Sequence, residues 1–307
     1  MQALWMVLAA LIFATMGVCV KVASAWFNNA ELVFWRGIVG VVLMWLLARH
    51  RGVSLATRYP GMHAWRSLVG VIAIGAWFYA IAHLPLATAM TLNYMSSVWI
   101  AAFLVGGALL AWMPIPGRDG RMRRPPLQGP LVLMVLIGFA GVVLMLKPTM
   151  DADQGFAGVM GLLSGMSSAF AYMQVVALAR IGEPEARTVF YFALGSSVAG
   201  GLAMLVQGVS AWDWYHAAWL LPVGLLAALG QLCMTRAYSS AKTPGGTLVV
   251  ANLQYSGIIF ASIYGVLLFK DRIDASGYLG IALIILSGIA ATVLRQRAVP
   301  QAPAEEH

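Results

Sequence analysis

The side chains of this chain best placed to do chemistry are amides, hydroxyls and one arginine set inside apolar sequence. Residues 92–97 read LNYMSS, and residues 251–256 read ANLQYS. Helical spacing puts Asn93 and Ser97 on one face, with Tyr94 next to Asn93 in sequence. It likewise groups Asn252 with Tyr255 and Ser256, while Gln254 points off that face. Ser164, Ser168 and Tyr172 follow i, i+4, i+8 and make a narrow polar stripe. Trp77, Tyr79 and Gln231 add isolated polar or amphipathic groups in other apolar runs. A buried amide without a partner costs roughly 2–7 kcal/mol. Such groups therefore either tie helices together or line a wet cavity where they meet a solute. Two similar clusters in comparable segments favour the cavity.

Arg36 is the charged member of this set. It lies inside an apolar run, and an ionisable residue at membrane depth is a functional-site candidate by default. Three roles are open to it: snorkelling outward, pairing with Glu31 five residues earlier, or facing a cavity as a gating or substrate contact. Lys21 is expected to be an interfacial anchor, and His83 a turn residue before Pro85. No Asp or Glu falls near the middle of an apolar run, which argues against carboxylate-driven antiport. No phosphate-binding GxxxxGK[ST], no HExxH and no Cys/His metal pattern occurs. Catalytic residues, metal ions and cofactors are accordingly not expected. Cys19 and Cys233 read as small buried core residues, and Gly161 with Gly165 as a close-packing GxxxG pair.

The elements that must position these groups follow from composition. The chain is 61% hydrophobic and only 10% charged, against about 25% charged in a soluble domain. That leaves too little polar surface for a soluble globule, so the bilayer is the expected solvent. A net charge of +8 lies in short connectors and not along a helical stripe, so nucleic acid is not an expected partner. Ten segments are apolar enough to span: 3–22, 30–48, 65–83, 86–111, 130–146, 156–179, 188–207, 216–236, 245–269 and 276–294. The first is expected to be a retained helix and not a cleaved signal.

Fourteen Lys and Arg residues, Arg66 among them, fall on one side of this arrangement. Only Lys21, Lys147, Lys270 and Arg272 fall on the other. The positive-inside rule then puts both termini in the cytoplasm. A shift of 157 residues lays Phe13-Ala14 on Phe170-Ala171, Phe34-Trp35 on Tyr191-Phe192, and Ala80 on Ala237. Five spans per half is an odd number, so the second half enters the membrane from the opposite side, as in many secondary transporters. The expected fold is all-α and integral to the membrane: ten transmembrane helices in two inverted-topology five-helix repeats. Residues 1–112 and 130–147 form the first repeat, 113–129 a basic cytoplasmic loop, 156–296 the second repeat, and 297–307 a cytoplasmic tail.

The stretches ELVFWRG at 31–37, RSLVGVIAIGAWFYAIAHLPLATAMTLNY at 66–94 and AYSSAKTPGGTLVVANLQYSGIIFASIYGVLLFKD at 237–271 resemble the ten-helix, EamA-type branch of the drug/metabolite transporter superfamily. The resemblance spans about residues 3–296. Asp271 matches the acid that often ends the ninth helix in that family. Ser97 stands where the fourth helix often has Pro, and the LLAWMP ending lacks the corresponding acid. The resemblance implies a basket of helices in which the first, third, fourth, sixth, eighth and ninth line a central cavity. It implies inner-membrane transport of a small metabolite, amino-acid-like or related, without ATP hydrolysis and with a monomer as the expected unit. Alternatives are a lipophilic-drug exporter, a carrier of nucleoside-type metabolites such as S-adenosylmethionine, or a membrane-embedded lipid-modifying enzyme.

Overall fold

The structure is a computed structural model of the chain, and it describes residues 2–96, 98–100, 102–103, 115–116, 122–123, 129–146, 152–240, 250 and 252–298. Its principal helices, labelled in chain order, are α1 (Gln2–Ala23), α2 (Asn29–His50), α3 (Pro60–His83), α4 (Leu86–Tyr94), α5 (Gly129–Leu146), α6 (Ala152–Arg180), α7 (Glu185–Gln207), α8 (Leu220–Ser239), α9 (Ser256–Tyr264) and α10 (Ala275–Ala298). A single helical turn at Trp214–Ala217 leads into α8, and a π-helical turn at Gly265–Phe269 continues α9. In the connector after α4, Ile115–Pro116 pairs antiparallel with Met122–Arg123.

Seven helices among the described residues are long and apolar enough to cross a membrane. These are α1, α2, α3, α6, α7, α8 with its leading turn, and α10. Apolar stretches at Val132–Leu144 and Ser256–Phe269 are shorter, and α4 is described over nine residues. The sequence expectation of ten spans is thus met in seven. Residues 104–111 of the expected fourth span and 245–249 of the ninth lie outside the described residues.

Local signals set several helix ends. Asn28 caps α2, its side chain accepting from the Glu31 N–H while the Glu31 carboxylate accepts from the Asn28 N–H. This reciprocal box satisfies two donors that a helix start otherwise leaves free. Pro60 occupies the first turn of α3, where a missing N–H costs nothing. Lys270, with φ 54°, takes the left-handed conformation that ends the π-helical turn.

α2 packs along α7, α3 along α6, α1 along α8, and α5 along α10. The most extensive contacts share a pattern: exchanging each helix of the first five for its counterpart five places on returns another contact. The α1–α8 pair maps onto α6–α3, α2–α8 onto α7–α3, and α1–α9 onto α6–α4. α2 and α7 run antiparallel. Asn28, at the start of α2, donates to the Gly208 carbonyl at the end of α7. Arg187, in the first turn of α7, donates to the Ser54 carbonyl just after α2. Small residues allow the approach: a Cβ on Gly200 would lie 2.5 Å from the Phe34 nitrogen.

Three expectations about charges change here. Lys21 is not a simple interfacial anchor. Its ammonium donates to the Leu84 carbonyl (2.9 Å) and pairs with Asp271 (3.5 Å), tying α1 to the far end of α9. Asp271 also accepts from the Leu86 N–H (2.9 Å), so one carboxylate joins the starts and ends of three helices. Glu31 does not pair with Arg36; both of its oxygens are taken by Asn28 and by Ser210. Arg66 does not belong with the connectors. It lies in the second turn of α3 and is 3% exposed.

Candidate functional site

The polar stripes meet at the centre of the bundle. Asn93, near the end of α4, directs its amide N–H₂ at two hydroxyls on α6, those of Ser164 and Ser168 (3.1 Å to Ser168). The two serines are four residues apart, so one amide with two donors satisfies both. Gly161 and Gly165 make this approach possible. A side chain at Gly165 would collide with the Leu92 carbonyl, and one at Gly161 with the Leu92 side chain. The GxxxG pair is therefore a packing face, as its spacing implies.

Beside this contact lies a small cavity of about 40 Å³. α3 lines it with Arg66, Gly70, Ala73, Ile74 and Trp77, α4 with Asn93 and Tyr94, and α6 with Ser168, Ala171 and Tyr172. Phe13 of α1, Phe192 of α7 and Gln231 of α8 complete it. Apolar and aromatic walls with a few convergent polar groups are the usual make-up of a small-molecule site. Phe13 meets Trp77 edge-on at 6.4 Å, and the Trp77 indole N–H has no hydrogen-bond partner.

Of the residues singled out in the sequence, Trp77, Asn93, Tyr94, Ser168, Tyr172 and Gln231 line this cavity, with Ser164 directly behind Asn93. Tyr79 does not line it. Two residues beyond Trp77 it has rotated to another face, where it stacks on His83 (4.2 Å) and meets Phe156 edge-on. That face borders a separate depression shared with Asn28, Asn29 and Gln207. Ser97 lies outside the described residues. The second cluster stands apart from the cavity lining: Gln254 is buried and donates to Ser96 (3.4 Å), Tyr255 is buried, and Asn252 is half-buried with its Oδ1 unpartnered. Tyr94 packs between, against Gly257 of α9.

Arg36 is buried between α2 and α7. It donates to the Ser196 hydroxyl (3.1 Å) and lies over the Phe192 ring, 4.7 Å from its centroid. Arg66 lies over the same ring at 4.1 Å. Arg66 is the site residue that sequence reasoning missed. The signal was there in Pro60, which starts the helix five residues before the hydropathic span at 65 and so carries Arg66 into the bundle.

The acids at the bundle ends are engaged elsewhere. Glu183, in the α6–α7 connector, accepts from Thr57 (3.1 Å) and Arg187 (3.0 Å) and contacts His63 Nε2 (3.1 Å). Burial raises its carboxyl, but the hydrogen bonds from His63, Arg187 and Thr57 outweigh that and hold its pKa below the ordinary carboxylate value. Among the described residues no group of three or more His, Cys, Asp or Glu side chains is arranged to hold a metal.

Comparison with known proteins places this geometry in context. Residues 1–106 match the EamA-like transporter family. The chain is 30% identical over 286 residues to the pseudopaline exporter CntI of Pseudomonas aeruginosa, covering 92% of this chain and 93% of the relative. It is 28% identical over 291 residues to an uncharacterized transporter of Helicobacter pylori, covering 92% and 91%. It is 29% identical over 242 residues to a riboflavin transporter of Rhizobium johnstonii, covering 78% and 74%. A crystal structure 18% identical aligns over 97% of this chain and 99% of its own with a TM-score of 0.63, a likeness in fold alone.

Proposed function

From the premise that this chain belongs to the EamA-like transporter family, we propose that it carries a small organic metabolite across the inner membrane by alternating access. One observation carries the reading. The cavity takes lining residues from both halves of the chain: α1, α3 and α4 from the first, α6, α7 and α8 from the second. A site at the seam between two halves is one that opposed rocking of those halves exposes first to one side and then to the other.

The inverted repeat is part of the proposal. Its support is the exchange pattern in helix packing and the antiparallel run of α2 and α7. Ile74 and Gln231, which the 157-residue shift lays on one another, both line the cavity. The halves are 1–112 with 130–147 and 156–296, and charge asymmetry supports cytoplasmic termini. Relatives named as a pseudopaline exporter and as a riboflavin transporter support a polyfunctional organic solute with an apolar part, which the aromatic wall of Phe13, Trp77, Tyr94 and Tyr172 suits.

The test is solute flux in proteoliposomes holding the purified chain, run against a panel of amino acids, their derivatives and flavins. Uptake or counterflow of at least one class, lost in Trp77→Ala and Asn93→Ala, is the expected result. A panel in which no solute moves faster than through empty vesicles would sink the reading.

A further inference from the structure

The cavity contains a buried cation that, among the described residues, has no carboxylate partner. The Arg66 guanidinium is 3% exposed and lines the cavity. Its Nε and Nη1 atoms are buried and make no hydrogen bond. Phe192 gives it a ring face at 4.1 Å, which holds the plane of the guanidinium but satisfies none of its N–H donors. Arg36 shares that ring and adds a second buried cation, bonded to one neutral hydroxyl. The carboxylates described at the helix ends have other partners: Glu31 has Asn28 and Ser210, Glu183 has Thr57, His63 and Arg187, Glu185 has Ser239, and Asp271 has Lys21 and the Leu86 N–H. Among the described residues no carboxylate pairs with either arginine. Buried charges are ordinarily paired, and a guanidinium fork is matched in shape to a carboxylate or phosphate oxyanion.

We propose that Arg66 anchors an oxyanion carried by the transported solute, so that the substrate is an organic anion or zwitterion whose apolar part lies against the aromatic wall. This deepens, and rests on, the reading of the cavity as the transport site. The oxyanion meets one of the unpaired guanidinium N–H groups, on Nε or on Nη1, while Asn93, Gln231 and Tyr172 on neighbouring walls meet the remaining polar groups. Arg36 touches no solute in this scheme. It raises the local positive potential from behind Phe192. Gly70 is part of the arrangement, because a Cβ there would collide with Arg66 Nη1 and the Phe192 ring. Its bare backbone leaves room for the guanidinium.

The test uses the purified full chain with matched probes: indole-3-acetate against indole-3-acetamide, phenyl phosphate against phenol, and inorganic phosphate alone. Thermal stabilisation and equilibrium binding are read in detergent, and flux of the same probes in proteoliposomes. The expected result is that one organic anion binds about tenfold or more tightly than its neutral partner, the worth of a charge-assisted hydrogen bond. Which of the two anions does so separates carboxylate from phosphate. Arg66→Gln abolishes that preference. Should Arg66→Gln fold poorly, Gly70→Ala displaces the guanidinium while keeping the charge, and it too lowers the preference. Equal binding of neutral and anionic partners, a preference that survives both variants, or inorganic phosphate binding as tightly as the organic anions overturns the proposal. Flux confined to neutral probes would overturn the anion anchor and leave transport standing. Anion-selective binding with no flux of any probe would do the reverse.

Discussion

LNYMSS and ANLQYS read alike but are used differently. Both mark places where the helix loosens. Met95 N–H bonds back only three residues, to Leu92, and Tyr255, Gly257 and Ile258 do the same with Asn252, Gln254 and Tyr255. Tighter i→i−3 turns of this kind interrupt the regular ladder. The first cluster then puts its groups to work, with Asn93 on two serines of α6 and Tyr94 on the cavity wall. The second leans on the first: Gln254 reaches Ser96, Gly257 receives Tyr94, and the Asn252 side-chain Oδ1 has no partner. Symmetry holds in the helix pairing and is broken in the side chains.

The largest effect expected from breaking this comparison is at the packing beneath the first cluster. Gly165→Val drives a side chain into the Leu92 carbonyl, which as backbone cannot move aside. Overpacking of this kind costs roughly 1–3 kcal/mol, and thermal melting should show it. Gly257→Val meets only the end of the Tyr94 side chain, 2.7 Å from its Oη. It should lower the melting temperature by less than half as much. Comparable losses would mean that α9 packs on α4 as rigidly as α6 does.

Next in size is a pair of amide truncations. Asn93→Ala removes a donor to two buried hydroxyls and a cavity group together. Leaving such partners unsatisfied costs about 1–3 kcal/mol, corresponding to roughly fivefold or more in affinity for a solute that depends on them. Asn252→Ala removes an amide whose oxygen already lacks a partner, so flux should fall by less than about twofold. Matched flux and melting curves for the two variants decide it: equal flux losses would restore the two clusters to equal standing.

Much of this division was legible in the residues, and the parts that were not have physical causes. The i, i+4 spacing of Ser164 and Ser168 already put two hydroxyls on one face, but nothing in the sequence paired them with Asn93. Tyr79 was separable from Trp77 by rotation alone, since two residues turn a helix by about 200°. Arg66 was hidden because hydropathy counts an arginine at a span's edge as outside, whereas Pro60 starts the helix earlier. A Glu31–Arg36 pair was one of three roles left open for Arg36, because the two are close in sequence. The Asn28–Glu31 capping box and Ser210, 179 residues away, claim Glu31 instead. That α9 contributes none of the cavity lining follows from contacts between distant helices, and periodicity carries no record of those.

The smallest effect is the sharpest test of the asymmetry. Gln254 is buried, and its bond to the Ser96 hydroxyl is 3.4 Å long, at the weak limit for an N–H···O contact. Hydrogen bonds between membrane helices average only about 0.6 kcal/mol even at good geometry. Gln254→Leu replaces the amide by an apolar group of similar size, and the freed Ser96 hydroxyl can turn back to a carbonyl of its own helix. The melting temperature should therefore shift little, and flux should stay within about twofold of the parent. A flux loss as deep as that of Asn93→Ala, with melting unchanged, would mean that Gln254 reaches the solute in a conformation other than this one. The two clusters would then take turns at the substrate as the halves rock, and the asymmetry seen here would belong to one state of the cycle.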